Sequence, residues 1–220
     1  MADSPRICVI SSGLDRFHAP CTHIFKKQIG LEHTPIDFYG MFWQPVNDEK
    51  LNQYVQGFAN ATLWTAPQRT FDDIPNVHKA PETNVKNFLS MIWGKYLLGQ
   101  QMTEHGIWDK YDIFLYCRPD VCFDNALDLA GLAQHFEQHD LFVPTNGQWR
   151  GGINDQVCFG GRKLAVALTL FPEVATYIQE GVMLHPETML LHHLVKNGVR
   201  LAQFPIQNVI FRSETRFHIG

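Results

Sequence analysis

The sequence predicts an α/β fold in which helices flank a mixed, mostly parallel sheet. Strand-like and helix-like segments alternate along most of the 220 residues, an order typical of strands joined by crossover helices. Hydrophobic residues make up 45% of the chain and charged residues 18%, as in ordinary globular proteins. No internal repeat or composition change marks a boundary, so we expect a single domain over residues 1–220.

The first half of the chain opens with a buried strand at 6–11, which ends at a serine-glycine turn. Its clearest helix is predicted at 84–105, where apolar residues recur at spacings of three and four. The segment before it, 67–82, is polar and contains three prolines, so we expect a loop there and the best candidate for a mobile segment. The other predicted elements of this half are strands at 34–40 and 61–66 and helices at 22–30 and 47–58, the second capped by Asn47.

The second half is organised around a central strand at 111–117, an apolar run followed by a turn. A helix at 186–198 begins with proline and ends with glycine, the favoured asymmetry. The remaining predicted elements are strands at 140–145, 156–161, 199–204 and 208–212, and helices at 127–139 and from Arg162 onward. Because the last two strands follow each other without a helix, we expect a small antiparallel addition or a mixed sheet.

Bulk properties exclude several function classes. The net charge of −4 and pI near 6.2 do not suit a nucleic-acid binder. The opening residues do not resemble a signal peptide, and no apolar run is long enough to cross a membrane. We therefore expect a cytoplasmic protein, with any membrane contact peripheral. Five cysteines without a C-x-x-C pair are expected to be buried, reduced thiols.

The first candidate region follows strand 6–11 and combines Ser11, Ser12 and Gly13 with Arg16. Small residues allow a ligand to approach the backbone, and an arginine can neutralise a diphosphate. A purely structural turn would give the same pattern. The chain lacks the P-loop and G-x-G-x-x-G motifs that would make a phosphate site more specific.

The second candidate region is Arg118-Pro119-Asp120, directly after the central strand. A carboxylate at this edge of the sheet can bind a hard divalent cation, which would neutralise a diphosphate. Alternatively, Asp120 caps a turn and pairs with Arg118.

The third candidate region is the glycine-rich segment 146–161. The ring of Trp149 suits the apolar face of a sugar, and Asp155 can accept a proton from a hydroxyl group. A glycine-rich surface loop in which Asp155 stabilises a turn is the alternative. His185-Pro186-Glu187 matches the H-x-E of zinc deaminases only superficially, since no P-C-x-x-C follows, and we expect the histidines to be structural.

Six segments together resemble glycosyltransferases that build bacterial and viral capsule, lipopolysaccharide or other glycan chains from nucleotide sugars. In chain order they are "ICVISSGLDRF", "IDFYGMFW", "NFLSMIWGKYLL", "YDIFLYCRPDVCF", "GGINDQVCFGGRKLA" and "HPETMLLHHLVKNGVRL". Each motif is short, but their order and spacing cover nearly the whole chain.

The resemblance implies a Rossmann-like fold of the GT-A type and transfer from a UDP-, GDP- or dTDP-sugar to a glycan or other hydroxyl acceptor in polysaccharide biosynthesis. It implies Mn²⁺ or Mg²⁺ bound by Asp120, although the D-x-D motif of such enzymes reads Arg118-Pro119-Asp120 here. Asp155 would be the catalytic base, with Trp149, Gly151 and Gly152 beside the acceptor. The residues expected to surround the donor nucleotide are Ser11, Ser12, Gly13, Arg16, Asn84, Asn87, Ser90, Met91, Arg118 and Asp120.

Two other functions stay open from the sequence. A nucleotidyltransferase shares the need for a metal and a diphosphate, but its glycine-rich loop is matched poorly by "SSGLDRF". A domain that binds carbohydrate or nucleotide without catalysis would explain the incomplete D-x-D. In a transferase, we expect the loops at 67–82 and 146–153 to close over the donor and exclude water.

Overall fold

The computed structural model describes residues 4–14, 16–71, 79–211 and 217–219, with side chains up to residue 210. The helices are α1 (Ala19–Gln28), α2 (Asp48–Val55), α3 (Val85–Glu104), α4 (Leu129–Ala133), α5 (Leu164–Ala167), α6 (Val174–Gln179) and α7 (Pro186–Lys196). The strands are β1 (Ile7–Gly13), β2 (Ile36–Gln44), β3 (Ala61–Pro67), β4 (Ile113–Cys117), β5 (Val121–Phe123), β6 (Leu141–Pro144), β7 (Val157–Gly160), β8 (Leu201–Phe204), β9 (Asn208–Phe211) and β10 (Phe217–Ile219).

Seven strands form the main sheet, in the order β3-β2-β1-β4-β7-β6-β8. Only β7 runs against its neighbours, β4 and β6, whereas the other paired strands are parallel. This confirms the predicted mixed, mostly parallel sheet. The carboxyl ends of β1, β4 and β6 consequently meet at one edge, where ligands bind in open α/β sheets.

Helices cover both faces of the sheet and create two cores. Along β1, Cys8 and Ile10 face the core that contains α3 and α7, whereas Ile7 and Val9 face the core that contains α1 and α2. Because both faces of the central strands are buried, their sequences are continuous apolar runs without alternation. These runs are what made β1 and β4 predictable.

A second, three-stranded sheet in the order β10-β9-β5 lies beside the first. Its strands are antiparallel. Of the last two predicted strands, only 208–212 corresponds to a strand of this sheet, since β8 pairs in parallel with β6 in the main sheet. Strand β5 was not predicted, because the sequence around it was interpreted as an interruption after β4. The chain leaves the main sheet after Cys117, turns at Arg118-Pro119-Asp120, and continues into the second sheet.

Two predicted helices are much shorter than expected. The helix predicted at 127–139 is wrong beyond Ala133: Asp128 caps α4 by accepting from the Gly131 amide, and the chain then continues in turns closed by short-range bonds such as Phe136 N–H to the Ala133 carbonyl. After Arg162, the four residues of α5 and a 3-10 turn at Phe171–Glu173 are the helical segments before α6 begins.

The remaining structural expectations concern the cysteines, the membrane and the proline-rich loop. All five cysteines are free and buried, as predicted. Within the described ranges, no helix has the length and apolar character needed to cross a bilayer. The predicted mobility of 67–82 falls partly on residues 72–78, which lie outside the described residues.

Candidate active site

A cavity of about 650 Å³ opens at the carboxyl edge of the main sheet. Its wall is built from the ends of β1 and β4, the first turns of α3 and α7, the loop between β6 and β7, and the start of β9. The volume suits a small organic ligand. Of the sequence-predicted site residues, those that line it are Ser12, Gly13, Arg16, Asn84, Asn87, Ser90, Met91, Arg118, Asp120, Trp149 and Asp155.

One wall of the cavity carries an arginine-aspartate cluster. Arg118 Nε and Nη2 donate to Asp120 Oδ1 and Oδ2 at 3.0 and 2.6 Å. Arg16 Nη1 lies 3.9 Å from Asp120 Oδ2. The Asp120 side chain is 2% exposed, whereas that of Arg16 is 53% exposed. Two guanidinium groups thus face one carboxylate, and this wall has a net positive charge.

Asp120, the residue expected to bind Mn²⁺ or Mg²⁺, is paired with Arg118, and metal binding there stays a prediction. Both oxygens of Asp120 are used by Arg118, and an arginine next to a carboxylate competes with a cation for the same lone pairs. Among the residues that the structure describes, no group of three or more His, Cys, Asp or Glu side chains could hold a metal ion. No chemical step below is therefore assigned to a metal.

The turn after β1 reaches the cavity through Ser12 and Gly13. Ser12 Oγ lies 3.3 Å from the Tyr116 hydroxyl. Gly13 has a φ of 117°, and a Cβ built there would meet no atom within 4 Å, so backbone conformation and not crowding favours glycine. Ser11 is fully buried and does not line the cavity, and its contact with a nucleotide stays a prediction.

The first turns of α3 form another part of the cavity wall. The side chain of Asn84 caps the helix by accepting from the Asn87 amide at 3.1 Å. Asn84 therefore stabilises the start of α3 in addition to lining the cavity. Ser90 Oγ accepts from Gln68 Nε2 at 3.4 Å. Gln68 was not predicted as a site residue, although it also lines the cavity.

Asp155, the expected base, is 7% exposed and lines the cavity. Its backbone carbonyl accepts from Lys95 Nζ at 2.5 Å, and the same ammonium group lies 4.6 Å from the centre of the Tyr116 ring. Lys95 reaches Asp155 from α3 and is itself buried. This buried cation fixes the backbone that carries the candidate base.

A network of side-chain amides holds the loop between β6 and β7 against β9. Asn154 Oδ1 accepts from the amides of Gln156 and Val157, and its Nδ2 donates to Asn208 Oδ1 at 2.7 Å. Asn208 Nδ2 in turn donates to Gln156 Oε1 at 2.7 Å, and Asn146 Nδ2 donates to the Asn208 carbonyl. Because these buried amides satisfy one another, the loop has a defined shape next to Asp155.

The tip of the same loop packs on α7. A Cβ on Gly152 would lie 2.2 to 2.4 Å from backbone atoms of Glu187 and Thr188, so the close contact requires glycine. Gly151 and Gly152 do not line the cavity, and direct contact with an acceptor stays a prediction for both. Trp149 is 61% exposed and stands at the rim.

Two ionisable side chains at the start of α7 complete the cavity. Burial, reinforced by repulsion from Asp155, raises the pKa of the Glu187 carboxyl to about 8. Burial also lowers the pKa of His185, although the charge of Glu82 opposes the shift. His185 Nδ1 and Glu187 Oε2 are 2.9 Å apart, and apart from this contact with each other neither atom has a hydrogen-bond partner.

Sequence reasoning missed Thr83 and Glu187, which line the cavity, and Lys95, which does not line it but binds the Asp155 carbonyl. Lys95 was visible in the α3 motif, but nothing in its spacing indicates that it crosses to the Asp155 carbonyl. His185 and Glu187 do stand out in the sequence as an H-x-E pattern, but that pattern was compared only with the zinc-deaminase motif. Their position at the first turn of α7, at the ligand edge of an α/β sheet, was the signal that could have identified them.

The comparisons with known proteins identify the fold. No protein-family model and no curated protein matches the sequence. The structure is similar to mouse xyloside xylosyltransferase 1 in its apo form, with a TM-score of 0.52 and 7% sequence identity, over 90% of this chain and 84% of that one. That protein is a GT-A glycosyltransferase. The present chain therefore has a GT-A-like α/β fold with a mixed, mostly parallel seven-stranded sheet.

Proposed function

We propose that this protein is a glycosyltransferase that moves a sugar from a nucleotide sugar to a hydroxyl group of a glycan. The observation that carries the proposal is the single cavity that brings Arg16, Arg118 and Asp155 together at the ligand edge of a GT-A-like sheet. The two guanidinium groups and the Asp155 carboxylate match what sugar transfer needs, namely charge for a departing diphosphate and a base for an attacking hydroxyl.

The arginine wall supports the donor part of the proposal. A guanidinium group has five N–H donors, and two of those of Arg118 are used by Asp120. We infer that the diphosphate of the donor lies against Arg118 and Arg16. The negative charge that develops on the leaving nucleoside diphosphate is then stabilised by groups already in place.

Asp155 supports the acceptor part. In the proposed reaction, the acceptor oxygen forms a bond to the anomeric carbon while the bond from that carbon to the phosphate oxygen breaks. The electron pair leaves with the nucleoside diphosphate, and the acceptor proton passes to the Asp155 carboxylate. Trp149 at the rim offers its ring to the apolar face of an acceptor sugar. A role in polysaccharide biosynthesis and a cytoplasmic location remain part of this proposal.

The first experiment is a thermal-shift screen with UDP-, GDP- and dTDP-sugars, each with Mn²⁺ and with EDTA. A ligand that binds the native state raises its apparent stability. The panel includes a xylose-bearing nucleotide, since the similar structure is named a xylosyltransferase. We expect one nucleotide family to stabilise the protein, and to do so in EDTA. Stabilisation only with Mn²⁺ would show that a metal is needed after all.

The second experiment tests Asp155 as the base. With a donor from the screen, Asp155→Asn should lower the transfer rate at least about 100-fold, the usual range for a lost base, while donor affinity changes less than about threefold. Asp109→Asn, which makes the same change at an exposed ion pair with Arg162, is the matched control. Donor binding without transfer by the wild type would support the non-catalytic domain, and release of pyrophosphate from a nucleoside triphosphate would support the nucleotidyltransferase.

A further inference from the structure

Unpaired polar atoms are concentrated in the cavity. In the described part of the chain, four buried side-chain atoms make no hydrogen bond to the rest of the protein: Ser11 Oγ, Thr83 Oγ1, and His185 Nδ1 and Glu187 Oε2, which lie 2.9 Å from each other. The last three belong to residues that line the cavity. Their exposed fractions are 6%, 4% and 7% for Thr83, His185 and Glu187.

Such atoms are rare in folded proteins, because a buried donor or acceptor without a partner costs free energy. A chance distribution would scatter them through the two cores, whereas only Ser11 lies outside the cavity wall. An ordered water can occupy such a place in the ligand-free protein, and a ligand hydroxyl group can replace that water with the same bonds. The cluster therefore indicates a binding position for a polar group.

Contacts between three chain segments bring these residues together. Lys79 and Leu184 form an isolated parallel bridge, which places the segment before α3 beside the segment before α7. Thr188 Oγ1 donates to the Arg150 carbonyl, so the loop between β6 and β7 also contacts α7 here. We call the part of the cavity formed by Thr83, His185 and Glu187 the neutral corner. The corner is held by the backbone and is preorganised before any ligand arrives.

Further side-chain contacts lock this corner from the solvent side. Arg150 donates to both carboxylate oxygens of Glu82, at 2.7 and 3.0 Å. Glu82 Oε1 also lies 3.8 Å from His185 Nε2. Glu82 is thus ion-paired with Arg150, and His185 Nε2 faces the same carboxylate. The other ring nitrogen, Nδ1, lies 2.9 Å from Glu187 Oε2.

The charge state of this corner differs from that of the arginine wall. At neutral pH, the raised pKa of Glu187 keeps its carboxyl protonated, and the lowered pKa of His185 keeps its ring neutral. A neutral carboxyl, a neutral imidazole and a threonine hydroxyl offer both donors and acceptors without net charge. This chemistry suits sugar hydroxyl groups and does not suit phosphate.

We infer that Thr83, His185 and Glu187 form the subsite that binds the hydroxyl groups of the transferred sugar. The inference rests on the proposed function, and it divides the cavity between a diphosphate at the arginine wall and a sugar at the neutral corner. The sugar is thereby placed next to Asp155, whose charge acts on Glu187.

The test compares affinities for nucleoside diphosphates and for their sugar conjugates by titration calorimetry. The probes are UDP with UDP-glucose and UDP-xylose, GDP with GDP-mannose, and dTDP with dTDP-glucose. Thr83→Val and Glu187→Met remove the polar atoms at nearly constant volume. Thr176→Val and Glu180→Met make the same changes at exposed positions on and just after α6, away from the cavity.

We expect Thr83→Val and Glu187→Met each to weaken sugar-nucleotide binding about five- to tenfold, the usual effect of one lost hydrogen bond, and to change nucleoside diphosphate affinity less than twofold. Glu187→Gln should bind within about threefold of the wild type, since it keeps an uncharged donor and acceptor. The control variants should bind both ligands normally.

The outcomes separate the two proposals. If the diphosphates bind but the cavity variants weaken both ligands equally, or neither, the sugar subsite is wrong and the glycosyltransferase proposal survives. If no nucleotide or sugar nucleotide binds the wild type, the proposed function fails and the subsite fails with it. Variants that unfold are recognised by their melting temperature, and Glu187→Gln then carries the test: a sugar-specific loss above about fivefold would contradict the neutral subsite.

Discussion

The two ends of the cavity, the arginine wall and the neutral corner, differ in how their buried polar groups are hydrogen-bonded. At the arginine wall, Asp120 is almost fully buried and both its oxygens are satisfied by Arg118. At the neutral corner, Thr83, His185 and Glu187 are also buried, but Thr83 Oγ1 makes no hydrogen bond, and His185 Nδ1 and Glu187 Oε2 have no neighbour for one except each other. The first arrangement stabilises the protein by itself, whereas the second is completed by something that binds.

This difference in hydrogen bonding indicates which cavity residues stabilise the fold and which bind a ligand. A group whose bonds are all made inside the protein should matter for folding when it is removed. A group with unused bonds should matter little for folding and more for the ligand. The two ends can therefore be distinguished by measuring stability and affinity on the same variants.

The largest effect on stability is expected for Arg118→Ala. The change leaves the buried Asp120 with only the more distant, half-exposed Arg16 as a charged partner, which costs up to about 3–5 kcal/mol, and it should also weaken donor binding. Urea denaturation gives the stability. Arg6→Ala breaks an ion pair of the same kind with Asp112, but both partners are about half exposed or more, and its cost should stay below about 1 kcal/mol. Equal costs for the two variants would remove the contrast between the ends of the cavity.

A smaller effect is expected for Gly152→Ala, which tests the backbone contact behind the neutral corner. The new methyl group overlaps with the backbone of Glu187 and Thr188, and the loop must move away from α7 at a cost of about 2–3 kcal/mol. Thermal denaturation measures the change. At Gly161 the nearest atom is 3.7 Å from an added Cβ, so Gly161→Ala is the control; a stable Gly152→Ala would mean that the contact is loose.

The neutral corner also predicts a pH dependence of stability. The pKa of Glu187 is raised to about 8 in the folded protein from an ordinary value of 4.5. The stability linked to its protonated form is fully present below pH 4.5 and is lost as pH rises through 8. Relative to the wild type, Glu187→Gln should gain about 1–2 kcal/mol between pH 5 and pH 9, allowing for solvent screening. A constant difference in denaturation free energy over this range would show that Glu187 titrates normally.

The smallest effect on stability is expected at the rim. Trp149 is exposed, so Trp149→Ala should change the free energy of unfolding by less than about 0.5 kcal/mol. If its ring stacks on the acceptor, the acceptor KM rises severalfold while donor affinity stays unchanged. Val195, which is equally exposed on α7, provides the control through Val195→Ala. An unchanged acceptor KM would place the acceptor elsewhere.

Much of the fold could be predicted from local patterns, and the site only in part. The apolar periodicity of α3 and the apolar runs of β1 and β4 arise because whole faces of these elements are buried. Such patterns are visible in the sequence itself. The three residues of β5 are too few to show such a pattern. Their pairing depends on β9, which lies more than 80 residues away along the chain.

Residue chemistry and position at strand ends singled out Arg118, Asp120 and Asp155, and all three line one cavity, while their roles stay predictions. The partners of these residues were less predictable. Metal binding was expected for Asp120 from its motif position, yet its oxygens are used by Arg118. The unpaired state of Thr83 is a property of three segments that meet in space, and no local pattern carries it.

The reversed direction of β7 has a consequence for remodelling this protein. Because β6 and β7 are antiparallel, their whole connection, residues 145–156, lies at the ligand edge, while the turn after β7 lies at the far edge. Exchanging or lengthening the first connection should alter which molecules are accepted. Insertions at the far edge, near Gly161 and Arg162, should leave recognition intact and offer a site for attaching tags or fusion partners.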